Sequence, residues 1–241
     1  MQMLPGFINM LIPQSDKARE KWVVKQLDLL PKETKILDAG AGECYYERYC
    51  SHLKYTSQDF NQYFGVGDKK GIQTGKRDVS KIDIVSDIIK MPIKSESFDA
   101  VLCVEVLEHL PQPLEALKEI SRVTKKGGTL ILTAPFASLT HYSPYFFYSG
   151  FSENFYKENL PRYNFKIEKI YTYGNYFDFI TLELIRTPLV LWRTLKLLSI
   201  PFVLIYPVVI PAYILLRIFG LIFPRSKDLL SFGLCVKAKK Y

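Results

Sequence analysis

The chain has 241 residues, of which 48% are hydrophobic and 23% are charged. This length and composition exclude a disordered chain, a collagen and a simple coiled coil, and they favour one domain with an insertion. The 32 Lys and Arg residues outnumber the 24 Asp and Glu residues, which gives a net charge of +8. Such a charge favours an anionic partner, and its position in the chain decides whether that partner is a nucleic acid, a membrane surface or an acidic substrate.

We predict a helical segment at the start of the chain, over residues 1–34. Apolar residues recur there about once per helical turn between positions 14 and 30, which is typical of an amphipathic helix. No basic residue precedes Lys17, so the apolar start lacks the charges of a signal peptide. The four cysteines form no CxxC pair and no zinc-like cluster with His. We therefore expect reduced thiols, no metal site and a cytoplasmic location.

From residue 35 onward, short apolar runs alternate with helical or loop segments. The predicted strands are KILDA before the first glycines, 55–60, 82–88, a run starting at 98, 129–136, 165–173 at a sheet edge, and 231–240. Helices are expected over 43–53 and 114–123, and within the later part of 137–160. Nearly apolar strands that alternate with helices predict a parallel sheet covered on both faces.

A hydrophobic basic insertion is predicted at 187–228, before the last strand. Six basic residues and no acidic residue lie between positions 186 and 227. Residues 197–216 carry no charge and are numerous enough to span a bilayer, but three prolines interrupt them. We expect broken helices on one leaflet, with the basic side chains at the headgroups. A protein interface, an apolar substrate channel and a true membrane span are the alternatives.

The first predicted strand ends in Asp38, Gly40 and Gly42. Glycines at this point let backbone N–H groups approach a ligand closely. A dinucleotide-binding fingerprint would have a third glycine where Tyr45 stands, so a pyrophosphate is disfavoured. The Asp38 carboxylate would repel a phosphate and attract an ammonium group, which indicates a cationic ligand.

Three more carboxylates follow successive strands. Asp59 ends the second strand, where an acidic group accepts ribose hydroxyls. Asp87 ends the third strand, where it can accept an adenine amino proton, and Glu105 follows the fourth. Because ligands of doubly wound sheets bind at the carboxyl ends of the strands, these residues predict a nucleoside site there.

In combination, the segments ILDAGAGE, DIVSDI, FDAVLCVEVLEH and KKGGTLILTAPF resemble the class I S-adenosylmethionine-dependent methyltransferases, most closely the methyltransferase type 11 group. The resemblance implies a methyltransferase domain over 35–241, with a Rossmann-like doubly wound α/β sheet of seven strands whose last strand is antiparallel. It also implies S-adenosyl-L-methionine as cofactor. The implied cofactor-binding residues are Asp38, Gly40, Gly42, Asp59, Asp87 and Ile88, to which we add Glu105. Cys44 departs from the pattern, since many relatives have a third glycine there.

The acceptor side is expected after the fourth and fifth strands. A hydroxyl acceptor needs a base, and His is the usual one near neutral pH. His141 and His109 are the candidate catalytic residues, whereas His52 is interpreted as a packing residue. Tyr145 and Tyr148 lie in the aromatic segment after the fifth strand, where relatives form the acceptor pocket, and are the candidate substrate contacts.

We therefore expect a methyltransferase that transfers a methyl group to a small-molecule, sugar or lipid-linked acceptor. It would work in the cytoplasm, peripheral on the membrane through 187–228. The alternatives are a catalytically inactive membrane-associated scaffold with the same fold and an NAD-dependent dehydrogenase. We expect no nucleic-acid partner, and a homo-oligomer is left open.

Overall fold

The computed structural model describes residues 15–196 and 206–241. The chain divides into two compact units. The first contains Ala18–Tyr171 and Gly233–Tyr241 and carries the sheet, and the second contains Thr172–Phe232 together with the residues before Ala18. We describe each unit separately. The division into residues 1–34 and 35–241 stays a prediction, and residues 1–14 lie outside the described part.

Seven strands form one sheet: β1 (Lys35–Ala39), β2 (Lys54–Asp59), β3 (Ile84–Val85), β4 (Phe98–Val104), β5 (Thr124–Pro135), β6 (Phe165–Tyr173) and β7 (Gly233–Lys240). The helices are α1 (Ser15–Asp28), α2 (Pro113–Val123), α3 (Glu153–Arg162), α4 (Tyr176–Leu195) and α5 (Tyr206–Ile222). Short 3-10 turns cover Glu47–Tyr49, Leu107–His109 and Pro224–Asp228.

The strand order is β3-β2-β1-β4-β5-β7-β6. Strands β1 to β5 pair in parallel, and β7 runs antiparallel to β5. This confirms the expected seven-stranded sheet with an antiparallel last strand. The strand order reverses between β1 and β4, so loops from these two strands leave in opposite directions. Ligands of such sheets bind in the crevice at this switch point.

The core of the sheet unit lies between the central strands and the helices that cover them. Helix α2 begins at Pro113, whose missing N–H costs nothing in the first turn. It buries Leu117 and Ile120 from successive turns against the sheet, as an amphipathic helix should. Tyr156 of α3 and Phe165 of β6 are the largest fully buried side chains.

The segment after the first glycines forms no α-helix, and the helix predicted over 43–53 was wrong. Cys44 has a φ of 54°, which a right-handed helix excludes. The backbone bonds there span three residues, as in the bond from Glu47 N to Cys44 O (3.1 Å). The segment is therefore a series of tight turns, and it buries Cys44 and Cys50 as free thiols.

Strand β3 is shorter than the predicted 82–88. The Asp83 carboxylate accepts hydrogen bonds from Ser57 N (2.8 Å) and Ser57 Oγ (2.8 Å). At this position a side chain therefore takes the place of the backbone hydrogen bonds between the strands. The bond from Ser86 N to Asp59 O (3.0 Å) continues past the last ladder pair, Asp59 and Val85. Asp87 therefore follows the strand instead of ending it.

The second unit is helical, and the insertion predicted at 187–228 lies within its range, Thr172–Phe232. The Asn175 side chain caps α4 by accepting from Asp178 N (3.1 Å) and donates to Gly220 O (3.0 Å). Asp178 also forms an ion pair with Arg217 of α5, and Phe177 packs against Phe219 with ring centroids 5.6 Å apart. These contacts join α4 to α5.

Across residues 15–196 and 206–241, no helix is both long and apolar enough to cross a membrane. Part of the uncharged stretch predicted at 197–216, residues 197–205, lies outside the described residues.

Candidate active site

A tight turn follows β1 at the switch point of the sheet. Gly40 N and Ala41 N both donate to Gln58 O, over 2.8 and 2.9 Å. Gly40 has a φ of 79° and Gly42 a φ of 55°. A Cβ atom at Gly40 would lie 2.4 Å from the Val106 side chain. The turn therefore requires glycine at position 40, for its backbone and for its space.

Asp59, at the end of β2, is hydrogen-bonded to this turn. Its Oδ2 accepts from Gly42 N (3.0 Å) and its Oδ1 accepts from Asn61 N (2.8 Å). The residue is only 8% exposed. Each carboxylate oxygen has a second lone pair, so Asp59 can hold the turn and still accept a hydrogen bond from a ligand hydroxyl.

Asp38 is the most deeply buried carboxylate of this group, at 3% exposure. It accepts a hydrogen bond from Tyr55 Oη (2.7 Å), and among the described residues it takes part in no ion pair. Desolvation, reinforced by the charge of Asp59 and opposed by Tyr55, raises the pKa of Asp38 to about 7. A cationic amine beside it would offset the cost of burying this charge. The residues present thus fit the ammonium group of an amino acid.

The other predicted cofactor residues, Asp87, Ile88 and Glu105, differ in burial and in their hydrogen bonds. Asp87 is exposed and accepts from Ile89 N (3.1 Å), while Ile88 is buried. The strand register places both at the same edge of the sheet as Asp59. Glu105 is already engaged, because it pairs with Arg19 of α1 (3.1 Å) and accepts from the Thr133 hydroxyl (2.8 Å). Its φ of 53° turns the chain sharply after β4.

The two candidate catalytic histidines lie together, with ring centroids 4.7 Å apart. His109 Nδ1 lies 2.5 Å from Tyr145 O, and His141 Nδ1 lies 2.8 Å from Leu139 O. Two backbone bonds with Ile72, from Ile72 N to the carbonyl of residue 140 and from the amide of residue 142 to Ile72 O, hold His141 from both sides. Burial, and then the neighbouring His141, lower the pKa of His109 to about 4, so this imidazole is neutral at physiological pH.

Tyrosines cover these histidines. Tyr142 stacks between His109 (5.0 Å between centroids) and Tyr63 (4.9 Å). The ring of Tyr145 contacts Phe60 edge to face at 4.9 Å, directly after Asp59. Of the two candidate substrate contacts, Tyr145 therefore lies next to the cofactor side. Tyr148 is more exposed and packs against Phe151 (5.4 Å).

Sequence reasoning missed Glu108. Its side chain is fully buried, and among the described residues neither carboxylate oxygen has a hydrogen-bond partner. Desolvation and the charge of Glu105 raise the pKa of Glu108 well above its usual range. In the sequence EVLEHL, nothing distinguishes this buried acid from Glu105 except its position beside His109.

Arg77 was also missed, because it follows a glycine-rich loop without a motif. Its guanidinium lies 5.7 Å from the centre of the Tyr63 ring and 5.4 Å from that of Tyr142. A Cβ atom at Gly42 would lie 2.3 Å from Arg77 Nη2. Arg77 therefore reaches from the tyrosines of the acceptor side to the glycine turn.

Comparison with known proteins finds a family match over part of the chain. Residues 37–132 match the profile of a family described as methyltransferase domain. A demethylmenaquinone methyltransferase of Corynebacterium glutamicum is 36% identical over 117 residues, which are 48% of this chain and 47% of that protein. A ubiquinone biosynthesis O-methyltransferase of Dechloromonas aromatica is 28% identical over 117 residues, covering 48% of this chain and 49% of that protein. The chain thus spans about half the length of these curated relatives.

A solved structure shares the fold. Phosphoethanolamine N-methyltransferase 2 of Haemonchus contortus, in complex with S-adenosyl-L-methionine, has a TM-score of 0.52 and 13% identity to this chain. The match covers 95% of this chain and 53% of the other. At this identity the likeness concerns the fold alone. Residues 37–132 thus match a methyltransferase domain family, and the seven-stranded sheet has the Rossmann-like class I fold of S-adenosylmethionine-dependent methyltransferases.

Proposed function

We propose that the chain is an S-adenosylmethionine-dependent methyltransferase that methylates an oxygen of a small or lipid-linked acceptor. The observation that carries this proposal is the buried Asp38 carboxylate beside the glycine turn. It lacks a cation among the described residues, and the cofactor would bring one. The acceptor atom is proposed from the relatives, one of which is named as an O-methyltransferase of quinone biosynthesis.

In this proposal each cofactor group has its own residues at the sheet edge. The groups are the methionine part on Asp38, Gly40 and Gly42, the ribose on Asp59, and the adenine on Asp87 and Ile88. Glu105, held by Arg19 and Thr133, supports the loop on the methionine side. When bound, the cofactor supplies a methyl group on a positively charged sulfur, so the protein mainly has to position it and exclude water.

The acceptor would lie among the histidines and tyrosines that follow β4 and β5. His141 and His109 are the proposed bases for the acceptor hydroxyl, and Tyr145 and Tyr148 the proposed contacts of its ring or chain. The close approach of Tyr145 to Phe60 supports this placement, because Phe60 follows the proposed ribose residue. Relatively flat acceptors, such as phenols, suit the stacked rings around Tyr142.

The second unit supports a membrane-bound location for the reaction, at the cytoplasmic face. Trp192, Leu221 and Phe223 are each more than half exposed. Large exposed apolar side chains of this kind are expected where a surface contacts a membrane or another protein. Arg225 and Lys227 are exposed beside them. Since Arg217 is paired with Asp178, the free positive charge is smaller than the sequence indicates. We propose peripheral binding to an anionic membrane surface.

Methyl transfer is tested with the full chain and S-adenosylmethionine labelled in its methyl group. The acceptors are phenolic and quinol compounds and a total lipid extract. We expect label in an ether product, and we expect the Asp38→Asn variant to lose it. A labelled amine product would contradict the oxygen acceptor. Absence of transfer to every extract, despite cofactor binding, would support an inactive scaffold instead.

Membrane binding is tested by flotation with vesicles of phosphatidylcholine alone and with added phosphatidylglycerol. We expect flotation only with the anionic vesicles, and we expect the double variant Trp192→Ser, Leu221→Ser to stay at the bottom. Equal behaviour of the variant and the natural chain would remove the membrane part of the proposal.

A further inference from the structure

Three potential metal ligands converge on the acceptor side of the sheet unit. Glu108 and His109 come from the turn after β4, and His141 comes from the segment after β5. One ligand atom from each of them lies within 4.8 Å of the other two. We propose that these three residues bind a divalent transition metal ion, for which Zn²⁺ is the best-fitting candidate. The sequence alone predicts no metal site, so this proposal departs from that prediction.

The strongest support is the state of Glu108. A fully buried carboxylate with no hydrogen-bond partner is costly, and native proteins nearly always satisfy such groups. Its nearest basic atom is His109 Nε2, at 3.7 Å from Oε1, which is too long for a hydrogen bond. A cation held between the carboxylate and the imidazoles would satisfy both oxygens of Glu108.

The histidines are oriented as metal ligands usually are. In each of them Nδ1 lies close to a backbone carbonyl, that of Tyr145 for His109 (2.5 Å) and that of Leu139 for His141 (2.8 Å). An Nδ1–H group that donates to a carbonyl fixes the tautomer and puts the lone pair on Nε2. Metal-binding histidines typically use this arrangement.

The donor set selects the class of ion. Two imidazoles and one carboxylate suit Zn²⁺, Mn²⁺ or Fe²⁺ better than Ca²⁺ or Mg²⁺, which prefer oxygen ligands. Ligand atoms on a tetrahedral Zn²⁺ lie about 3.4 Å from one another, from bond lengths of about 2.1 Å. Because the three atoms here lie within 4.8 Å, small side-chain movements of about 1 Å would complete the site.

Three protein ligands leave a coordination position for a further group, as in catalytic zinc sites. Building on the proposed function, we assign this position to the acceptor oxygen. A bound ion lowers the pKa of the hydroxyl, whose proton passes to solvent. The oxygen then forms a bond to the methyl carbon as the carbon–sulfur bond breaks, and S-adenosylhomocysteine leaves with the electron pair on sulfur. His109 and His141 would act here as ligands instead of bases.

Metal binding is measured directly on the full chain after treatment with a chelator. Zn²⁺ is titrated by calorimetry, and Co²⁺ is titrated by its visible absorption, which reports nitrogen and oxygen ligands. We expect a single tight site, weakened about 100-fold or more in His141→Ala and in Glu108→Gln, since even residues behind a ligand contribute about 10–100-fold. His52→Ala is the matched control, because His52 contacts Leu27 O (3.3 Å), away from the cluster.

Two results would overturn the inference. One is a natural chain that binds Zn²⁺ and Co²⁺ no more tightly than His141→Ala. The other is a Glu108→Gln variant that keeps the full affinity while its circular dichroism spectrum is unchanged. Cofactor titration of the same samples separates this inference from the proposed function. If the natural chain binds S-adenosylmethionine but no metal ion, the metal site alone is refuted and the proposed function is not.

Discussion

The two halves of the site at the sheet edge are built in different ways. At the ends of β1 and β2, backbone amides and buried carboxylates form a closed network, in which Asp59 holds Gly42 and Gln58 holds Gly40. After β4 and β5, side chains from distant segments stack on one another, as Tyr63, Tyr142 and His109 do. The first half is a backbone-defined site for a fixed ligand. The second depends on packing, which permits different acceptors on one fold.

The largest effect is expected in the cofactor half, from a substitution that introduces both a steric clash and backbone strain. Gly40→Ala puts a Cβ atom 2.4 Å from Val106 at a φ of 79°. We expect it to lower the free energy of unfolding by about 2–5 kcal/mol, from left-handed strain and overpacking together, and to abolish cofactor binding. Urea unfolding and calorimetry measure the two quantities.

Gly75→Ala is the matched control for this change. Gly75 has a φ of 82° but nothing within 4 Å of its added Cβ. It should therefore show only the strain, about 1–2 kcal/mol, with cofactor binding retained. Equal losses in the two variants would show that the close approach of Val106 has no role.

An intermediate effect is expected from pH. Protonated Asp38 cannot pair with an ammonium group, so affinity should fall as the pH falls through the pKa of about 7. From about pH 8 to about pH 6, the dissociation constant of S-adenosylmethionine should rise about tenfold. The Asp38→Asn variant should bind weakly without this dependence. A flat profile for the natural chain would mean that Asp38 does not contact the ligand.

The smallest effect concerns the acceptor half. Tyr142→Leu removes the stacking on Tyr63 and His109 and should cost about 1 kcal/mol of unfolding free energy. Because Tyr142 belongs to the packed half, we expect a lower rate of methyl transfer at nearly unchanged cofactor affinity. A loss of affinity as large as that of Gly40→Ala would erase the distinction between the halves.

The sequence predicts the cofactor half better than the acceptor half, for a physical reason. Asp38, Gly40 and Gly42 form a local pattern whose backbone requirements are visible in a few residues. In contrast, the residues on both sides of His141 bond to the distant Ile72, and the burial of Glu108 follows from packing that no local pattern encodes. The helix predicted over 43–53 was wrong for a related reason, since nothing in that stretch of sequence reveals the left-handed Cys44.

The most direct test of the central claim is a calorimetric titration of the full chain with S-adenosylmethionine, S-adenosylhomocysteine and NADH. We expect both sulfur nucleosides to bind at a single site, with a much lower affinity in Asp38→Asn and in Asp59→Asn, and we expect no heat from NADH. Binding of NADH, or an unchanged affinity for the sulfur nucleosides in both variants, would contradict the assignment of the β1–β2 edge to the cofactor.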